Sequence, residues 1–408
     1  MSDLSDSVRS AKRDDWVPNV PSLGHGKSRI PIRLFSLTLL ALTACRPHDF
    51  PTYPPNYREY AYVANTDSNT VTVLDVVNVR VDRELAVGTT PVALAASPTR
   101  NEVYVVNSGA PGASGSLSVI DAEHNAVIAA IPLHRQPVSI NLDSAGKLAY
   151  IANSGSNSIS VIDLTARREV ALFGGGEQPD AAVLAPDGKT LVVANRAANS
   201  VALLDPVTGR VRSVFQNCPG PVNPAILADS TKVFIPCSAG HQVMVIGLAR
   251  PADHQPDQLQ TFMDVGRAPV HLALKPDGGE LFVSNSFSDS ISEVVTDSND
   301  VGGAYMIGDS PVRGIVSSDN ALLYVANYSS QFVAVYSIDD GKLTSSIRVG
   351  DGPSALGFST NGYLLFVVDS RSGDVAVIRT AAQSQFAFTL LHAGRNPTAI
   401  VDKSFTLP

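Results

Sequence analysis

The stretch Tyr62-Val63-Ala64-Asn65 recurs along the whole chain and decides its fold. Related tetrapeptides end at Asn107, Asn153, Asn195, Cys237, Asn285, Asn327 and Asp369. Their last residues are separated by 42, 46, 42, 42, 48, 42 and 42 positions, starting from Asn65. A nearly fixed period of this size indicates one supersecondary unit repeated in an array. The architecture therefore follows from the repeat, whereas function depends on what differs between repeats.

Each repeat predicts four short antiparallel strands, which we call A, B, C and D. Strand A is the tetrapeptide, and strand B alternates in polarity, as in residues 159–163. Strand C ends in Val-Gly, as at residues 87–88, and strand D starts at a proline such as Pro91. Turns such as Ala-Pro-Asp-Gly at residues 185–188 close the unit. Period-two alternation bounded by Pro, Asp and Gly is typical of hairpins.

Four strands per repeat predict an all-β fold, a β-propeller built from four-stranded blades. The repeats resemble the Y-V-T-N family of propeller repeats over about residues 59–401, through Y-V-x-N, S-x-x-V-x-V-I-D, V-G-x-x-P and S-P-D-G. This resemblance implies that strand D is innermost and strand C outermost. Counting strands gives eight blades, and seven, the commoner number in the family, is the alternative. The last strand, at residues 397–401, should pair with the first strand in one blade and close the ring, so that the first strand is not exposed as an open sheet edge.

The composition excludes some classes of protein. The chain has 408 residues, of which 44% are hydrophobic and 17% charged, and its net charge is −8. This is a globular composition, and the repeats carry no basic stripe of the kind that nucleic-acid binders use. We therefore expect one monomeric mature domain and no nucleic-acid partner.

The N-terminal region predicts export. Basic residues Lys27, Arg29 and Arg33 precede an apolar run at residues 34–44, which is too short to span a bilayer, and Cys45 follows. These are the parts of a secretory signal. Residues 42–45, Leu-Thr-Ala-Cys, resemble the lipobox of bacterial lipoproteins, which implies a lipid on Cys45; a buried apolar segment is the alternative.

We therefore divide the chain into a lead and signal at residues 1–44, a Pro-rich tether at 45–57 and a propeller at 58–408. The predicted place is a bacterial cell envelope, on the periplasmic side of the outer membrane or at the cell surface. The predicted membrane partner is reached through the lipid anchor.

Candidate site residues come from differences between the D strands. The second residue after the initial proline is mostly small, but it is His271 in one repeat and Arg313 in the next. Ser139 and Asn223 occupy this register in two other repeats, the latter with less certain alignment. Turns on the same rim carry Arg135, Arg267 and Arg395. These seven residues predict a site for an anionic or polar ligand at the channel mouth; water-solvated channel filling is the alternative.

No pattern predicts catalysis, a metal or a cofactor. The sequence lacks G-x-S-x-G, H-E-x-x-H, close histidine pairs and C-x-x-C-H. We expect a module that binds an unknown protein or a small polar ligand. Two enzyme-related alternatives remain, because the repeats also resemble those of propeller lactonases and, loosely, the haem-d1 propellers of nitrite reductases.

Two cysteines remain after Cys45. Cys218 precedes the fifth D strand, and Cys237 ends the neighbouring A strand, so both should reach the same rim. An oxidising compartment would then favour a disulfide between them. Two separate buried thiols are the alternative.

Overall fold

The computed structural model describes residues 51–250, 254–381 and 385–408. Within these ranges the chain forms eight four-stranded antiparallel sheets arranged as a ring, so the predicted eight-bladed propeller is confirmed. The predicted signal peptide and the predicted lipidation site, Cys45, lie outside the described residues.

The first sixteen strands are β1 (Tyr57–Asn65), β2 (Thr70–Asp75), β3 (Arg80–Ala86), β4 (Pro91–Ala96), β5 (Glu102–Asn107), β6 (Ser114–Asp121), β7 (Ala126–Arg135), β8 (Pro137–Leu142), β9 (Leu148–Asn153), β10 (Ser158–Asp163), β11 (Arg168–Gly174), β12 (Pro179–Leu184), β13 (Leu191–Asn195), β14 (Ser200–Leu204), β15 (Val211–Phe215) and β16 (Ala225–Ile226). The other sixteen are β17 (Lys232–Cys237), β18 (Gln242–Gly247), β19 (Gln258–Asp264), β20 (Pro269–Leu274), β21 (Glu280–Asn285), β22 (Ser290–Val295), β23 (Asp300–Met306), β24 (Pro311–Val316), β25 (Leu322–Asn327), β26 (Phe332–Ser337), β27 (Lys342–Arg348), β28 (Pro353–Phe358), β29 (Leu364–Asp369), β30 (Asp374–Arg379), β31 (Ala387–His392) and β32 (Pro397–Thr406). A single 3₁₀ turn, Ser154–Ser156, is the only helical element of the described ranges.

The last strand closes the ring. Blade 1 has the order β32-β1-β2-β3, and blades 2 to 8 follow as successive groups of four strands from β4 to β31. Strand β32 pairs with β1 from Tyr57↔Thr406 to Asn65↔Pro397. The predicted closure is therefore confirmed, and the strand continues to Thr406, beyond the predicted end at residue 401.

The apolar core lies between blades. In one of eight such clusters, Ala61 and Val63 of blade 1 pack against Phe366 and Val368 of blade 8. Neighbouring blades cover both faces of the middle strands, so A and B strands are buried almost continuously. This double burial explains unbroken apolar runs such as residues 191–194, Leu-Val-Val-Ala, where a half-exposed strand would alternate between apolar and polar residues.

The last residue of the A-strand motif clamps strand A to strand B. The Asn65 amide donates to the hydroxyls of Thr70 and Thr72, at 3.1 and 2.8 Å. Corresponding bonds recur in blades 2, 3 and 6. A glycine three positions before the D-strand proline packs on this asparagine: a Cβ on Gly88 would lie 2.6 Å from Cγ of Asn107. Glycine and asparagine are therefore a packing pair, which explains why both recur.

Blade 5 replaces this pair with cysteines. Cys218 stands three positions before Pro221, in the glycine position, and Cys237 stands in the asparagine position. In the structure they form a disulfide with a Cα–Cα distance of 4.8 Å, and both side chains are fully buried. The covalent bond thus joins the two backbone positions that the Gly–Asn contact joins elsewhere.

We expect Cys237→Ser to lower the free energy of unfolding by about 3 kcal/mol, since the bond closes a loop of about 20 residues in the unfolded chain. The double variant Cys218→Gly/Cys237→Asn should recover part of this loss. Recovery should be incomplete because Gln242 and Met244 replace the hydroxyl partners of the asparagine. Urea unfolding without reductant measures both effects. Two labelled thiols in denatured, unreduced protein would contradict the disulfide.

The propeller has two distinct rims. The A–B loops and C–D turns form one, which we call the A–B rim; there the Tyr328 amide donates to the Ser310 carbonyl at 2.9 Å. The D–A turns and B–C loops form the other, the D–A rim. Residues 51–56, predicted as tether, contact this second rim: the Asn361 amide donates to the Tyr53 hydroxyl at 3.1 Å. The chain therefore associates with the propeller upstream of the predicted boundary at residue 58.

Candidate ligand site at the channel mouth

Polar side chains occupy one half of the inner ring. Asp180 in β12, Asn223 before β16, His271 in β20 and Arg313 in β24 belong to four consecutive blades, 4 to 7. At the register of His271 the blades from 8 round to 4 carry small residues, namely Ala355, Ala399, Ala93, Ser139 and Ala181; Asp180 stands one position before Ala181. The Ser139 hydroxyl is buried and has no hydrogen-bond partner among the described residues. The channel is therefore chemically asymmetric.

Asn223 does not lie in a strand, contrary to the register predicted for it. It has φ of 40° and an exposed side chain, and the inner strand of blade 5 consists of Ala225–Ile226 alone. Prolines 219, 221 and 224 remove backbone donors from this segment, which interrupts the ladder. The Asn223 amide donates instead to the Val270 carbonyl of blade 6, at 3.1 Å.

His271 is a neutral hydrogen-bond donor. Its Nδ1 accepts from the Gly314 backbone N–H at 3.4 Å, which places the ring proton on Nε2. Desolvation, followed by the positive charge of Arg313, lowers the pKa of His271 to about 3. The ring therefore stays uncharged at neutral pH and offers one N–H.

Arg313 is a cation without a counter-ion. Its side chain is exposed to the channel, although the surrounding strands desolvate it enough to lower its pKa. Among the described residues, none forms a hydrogen bond or an ion pair with its guanidinium, and no neighbouring carboxylate offsets the desolvation. An uncompensated, partly desolvated charge is costly to the folded state. Arg313 therefore has unused capacity to bind an anion.

The carboxylate of the polar half already has other partners. Asp180 lies 3.7 Å from the Arg196 guanidinium and accepts the backbone N–H of Asn223. Desolvation still raises the pKa of Asp180 despite the charge of Arg196. Sequence reasoning missed this pair. The available signal was that Asp180 directly follows the D-strand proline, where the other repeats have Val, Ser or Thr.

The rim arginines do not all converge on this site. Arg267 leads into β20, which carries His271, whereas Arg135 joins blades 2 and 3 and Arg395 joins blades 8 and 1. The Arg395 guanidinium donates to the Asp67 carbonyl at 2.9 Å. The predicted set of seven residues therefore separates into two groups: His271, Arg313, Arg267 and Asn223 belong to the polar half of the ring, whereas Arg135, Ser139 and Arg395 lie elsewhere.

Exposed aromatic rings flank the site on the A–B rim. Phe287 and Tyr328 are 71% and 36% exposed, and they lie in the A–B loops of blades 6 and 7. The Arg371 guanidinium lies 4.5 Å above the Tyr328 ring. Sequence reasoning overlooked these residues, since a single aromatic residue in a loop carries no recognisable pattern.

The clefts of the D–A rim are weaker candidates for a ligand site than the channel mouth. Two of them, of about 450 and 430 Å³, lie between blades 7 and 8 and between blades 3 and 4. Polar side chains of the larger cleft already have partners: Ser359 donates to Asn361 in its own turn at 2.8 Å, and Thr360 donates to Asp402 of blade 1 at 2.7 Å. The described ranges contain no group of three His, Cys, Asp or Glu side chains that could hold a metal ion.

Comparison with known proteins shows the family. The model of the YNCE-like beta-propeller family matches residues 134–383, more than half of the chain. None of the curated proteins compared with the chain matches it.

Solved structures share the fold at low sequence identity. A dihydro-heme d1 dehydrogenase, NirN, in complex with DHE is 13% identical, covers 89% of this chain and 78% of its own, and has a TM-score of 0.70. Kuenenia stuttgartiensis hydrazine synthase is 22% identical over 78% of this chain and 92% of its own, with a TM-score of 0.55. A putative 6-phosphogluconolactonase from Bacteroides fragilis is 18% identical over 74% and 98%, with a TM-score of 0.56. Because the family model matches more than half of the chain and the structure is an eight-bladed ring, the chain belongs to the YNCE-like beta-propeller family.

Proposed function

We propose that this protein is a membrane-anchored, extracytoplasmic propeller lipoprotein with Y-V-T-N repeats, and that it binds an anionic or strongly polar ligand at the mouth of its channel. The observation that carries the binding proposal is the uncompensated Arg313 beside the neutral donor His271. Arg267 adds positive potential on the same side of the rim.

The donor set suits a carboxylate or a phosphate. The guanidinium of Arg313 offers two parallel N–H groups to a pair of anionic oxygens. His271 adds one N–H through Nε2 without adding charge. A bound anion would supply the counter-ion that Arg313 lacks and recover part of its desolvation cost.

Arg313→Ala should weaken binding of such a ligand by roughly 10–100-fold, because a hydrogen bond to a charged group contributes about 1.5–3 kcal/mol. The affinity of Arg313→Lys should lie between those of wild type and Arg313→Ala, since lysine keeps the positive charge but lacks the planar guanidinium. Arg168→Ala is the matched control, because Arg168 is exposed on outer strand β11. Calorimetric titration with small carboxylates and phosphates measures the affinities. An Arg313→Ala variant that binds them as wild type does would reject the site.

Membrane attachment is the second part of the proposal. No helix in the described part of the chain is long and apolar enough to cross a bilayer. Attachment would come from acyl chains on Cys45, each buried methylene contributing about 0.8 kcal/mol. Cys45→Ala should therefore move the protein from the membrane fraction to the soluble fraction. The lipoprotein proposal fails if the wild type is already soluble and its mature chain begins upstream of Cys45.

A haem-associated or redox role is the second candidate. It is favoured by an imidazole in the channel, His271, and by similarity to the structure of NirN in complex with DHE. Titration of the purified protein with haem would test it. A Soret band that shifts on binding and disappears in His271→Ala supports this candidate, and an unchanged spectrum rejects it.

A further inference from the structure

The described chain starts and ends on the D–A rim. Strand β1 has nine residues, whereas the other A strands have five or six, and its extra pairs with β32 project on this side, out to Tyr57↔Thr406. Beyond these pairs, the Leu407 N–H donates to the Asn56 carbonyl at 2.9 Å. The Asn56 side chain donates to the Leu407 carbonyl, also at 2.9 Å.

Contacts of the first described residues fix this starting point. The Tyr53 hydroxyl accepts from Asn361 in the D–A turn of blade 8. The Tyr53 ring stacks on Tyr57 with centroids 5.0 Å apart. Pro51 is therefore only two residues away from Tyr53, whose side chain contacts the D–A rim.

Little chain separates this point from the proposed anchor. Six peptide units connect Cys45 to Pro51, which span at most about 21 Å when fully extended. A six-residue strand is itself about 20 Å long, and the loops of both rims add to that thickness. A chain of this length that leaves the D–A rim cannot pass around the outside of the ring and bring the opposite rim to the anchor.

We propose that the D–A rim faces a lipid surface, and that the A–B rim, with the channel mouth at His271 and Arg313, faces away from it. This inference rests on the proposed lipidation of Cys45. In this orientation the ligand site at the channel mouth opens toward the aqueous compartment and away from the lipid surface.

The charge of the D–A rim indicates that the tether, and not attraction to the bilayer, sets this orientation. The turns of this rim alternate acids and bases, as in the pair of Lys275 with Asp277 at 3.4 Å. Lys189 lies 3.9 Å from Asp187 in the same way. In these two turns each base lies beside an acid, whereas anionic lipid is bound by clusters of bases. The orientation should therefore depend on the length of the tether.

Energy transfer from each rim to the membrane tests the proposal. The full-length lipidated protein is placed in vesicles of phosphatidylethanolamine and phosphatidylglycerol that contain an acceptor-labelled lipid. A donor dye is attached to Ser144→Cys on the D–A rim or to Ala197→Cys on the A–B rim, both exposed loop positions. The native Cys218 and Cys237 are buried in a disulfide and do not compete for the dye.

Transfer from the Ser144→Cys label should exceed that from the Ala197→Cys label severalfold. A flexible Gly/Ser segment of about 20 residues, inserted between residues 48 and 49, should make the energy transfer from the two labels similar, because the reach of the longer tether exceeds the thickness of the ring. Equal transfer with the native tether, in protein that co-sediments with vesicles, overturns the orientation and leaves the lipoprotein proposal standing. Protein that does not co-sediment overturns both.

Discussion

A chain that ends at Asn396 should aggregate and should lose its cooperative unfolding transition. The truncation removes all of β32, the innermost strand of blade 1, which pairs along the whole of β1. It leaves β1 as an open sheet edge, which is a template for pairing with other chains. It also removes Phe405 from the core between blades 1 and 2. Native proteins are stable by only about 5–15 kcal/mol, so the loss of a ten-residue strand should exceed the available stability.

Strand β32 also ties blade 1 to both of its neighbours. The Thr360 hydroxyl of blade 8 donates to Asp402 at 2.7 Å, and Lys403 donates to the Ser97 carbonyl of blade 2 at 2.8 Å. A chain ending at Thr406 is the control, since it keeps every β1–β32 pair. Circular dichroism melts and size-exclusion chromatography compare the two. If the chain ending at Asn396 melts as wild type does, closure by β32 does not hold the ring together.

The second large effect is a loss of stability as pH rises. In blade 8, Asp369 takes the position of the clamping asparagine and is fully buried. It faces Asp374 across the strand pair, where blades 1, 2, 3, 4 and 6 have Thr or Ser. Desolvation raises the pKa of Asp369 to about 8, the negative charge of Asp374 adds to this, and the N–H of Gly350 opposes it. A protonated Asp369 supplies the donor that the asparagine amide supplies elsewhere.

The sign of the effect follows from the raised pKa. The folded state holds the Asp369 proton more tightly than the unfolded chain, in which the carboxyl has its ordinary pKa near 3.8. The free energy of unfolding should therefore decrease as pH rises from about 4 to about 8 and then level off. A shift of this size corresponds to at most on the order of 5 kcal/mol above pH 8.

Asp369→Asn should remove this loss, because an amide donates to Asp374 without titrating. Urea unfolding at pH 5, 7 and 8.5 measures the slope for wild type and variant. Part of the slope should remain in Asp369→Asn, since desolvation and the nearby Glu59 raise the pKa of Asp402 to about 8 as well. Asp340→Asn, at an exposed turn position, is the control and should change stability by less than about 0.5 kcal/mol. If Asp369→Asn is less stable than wild type at pH 8.5, the idea that a protonated Asp369 donates a hydrogen bond to Asp374 is wrong.

The fold could be predicted because its information is local and repeated. The tetrapeptide ending in Asn65 and the glycine before six of the eight D-strand prolines are parts of one packing arrangement, so their spacing predicts the blade directly. The position of Cys218 and Cys237 followed from the same register. Blade 5 departs from the pattern because Pro224 interrupts a strand that its first proline predicts.

The site was less predictable because it depends on positions around a ring. His271 and Arg313 stood out as long side chains in a register of small ones. That Arg313 lacks a counter-ion while Asp180 is paired with Arg196 depends on which inner strands are neighbours in space. Likewise, Arg135 and Arg395 are equivalent to Arg267 in sequence but belong to distant junctions of the ring.

A thermal-shift screen of the purified protein against small carboxylates, phosphates and neutral analogues of the same size tests the central claim most directly. An anion that occupies the channel mouth at a hundred times its Kd should stabilise the folded state by about 2.7 kcal/mol. We predict a raised Tm with at least one anion in wild type, no shift with its neutral analogue, and a much smaller shift with that anion in Arg313→Ala. The account would be contradicted if no anion raised the Tm, or if the same anion stabilised Arg313→Ala equally.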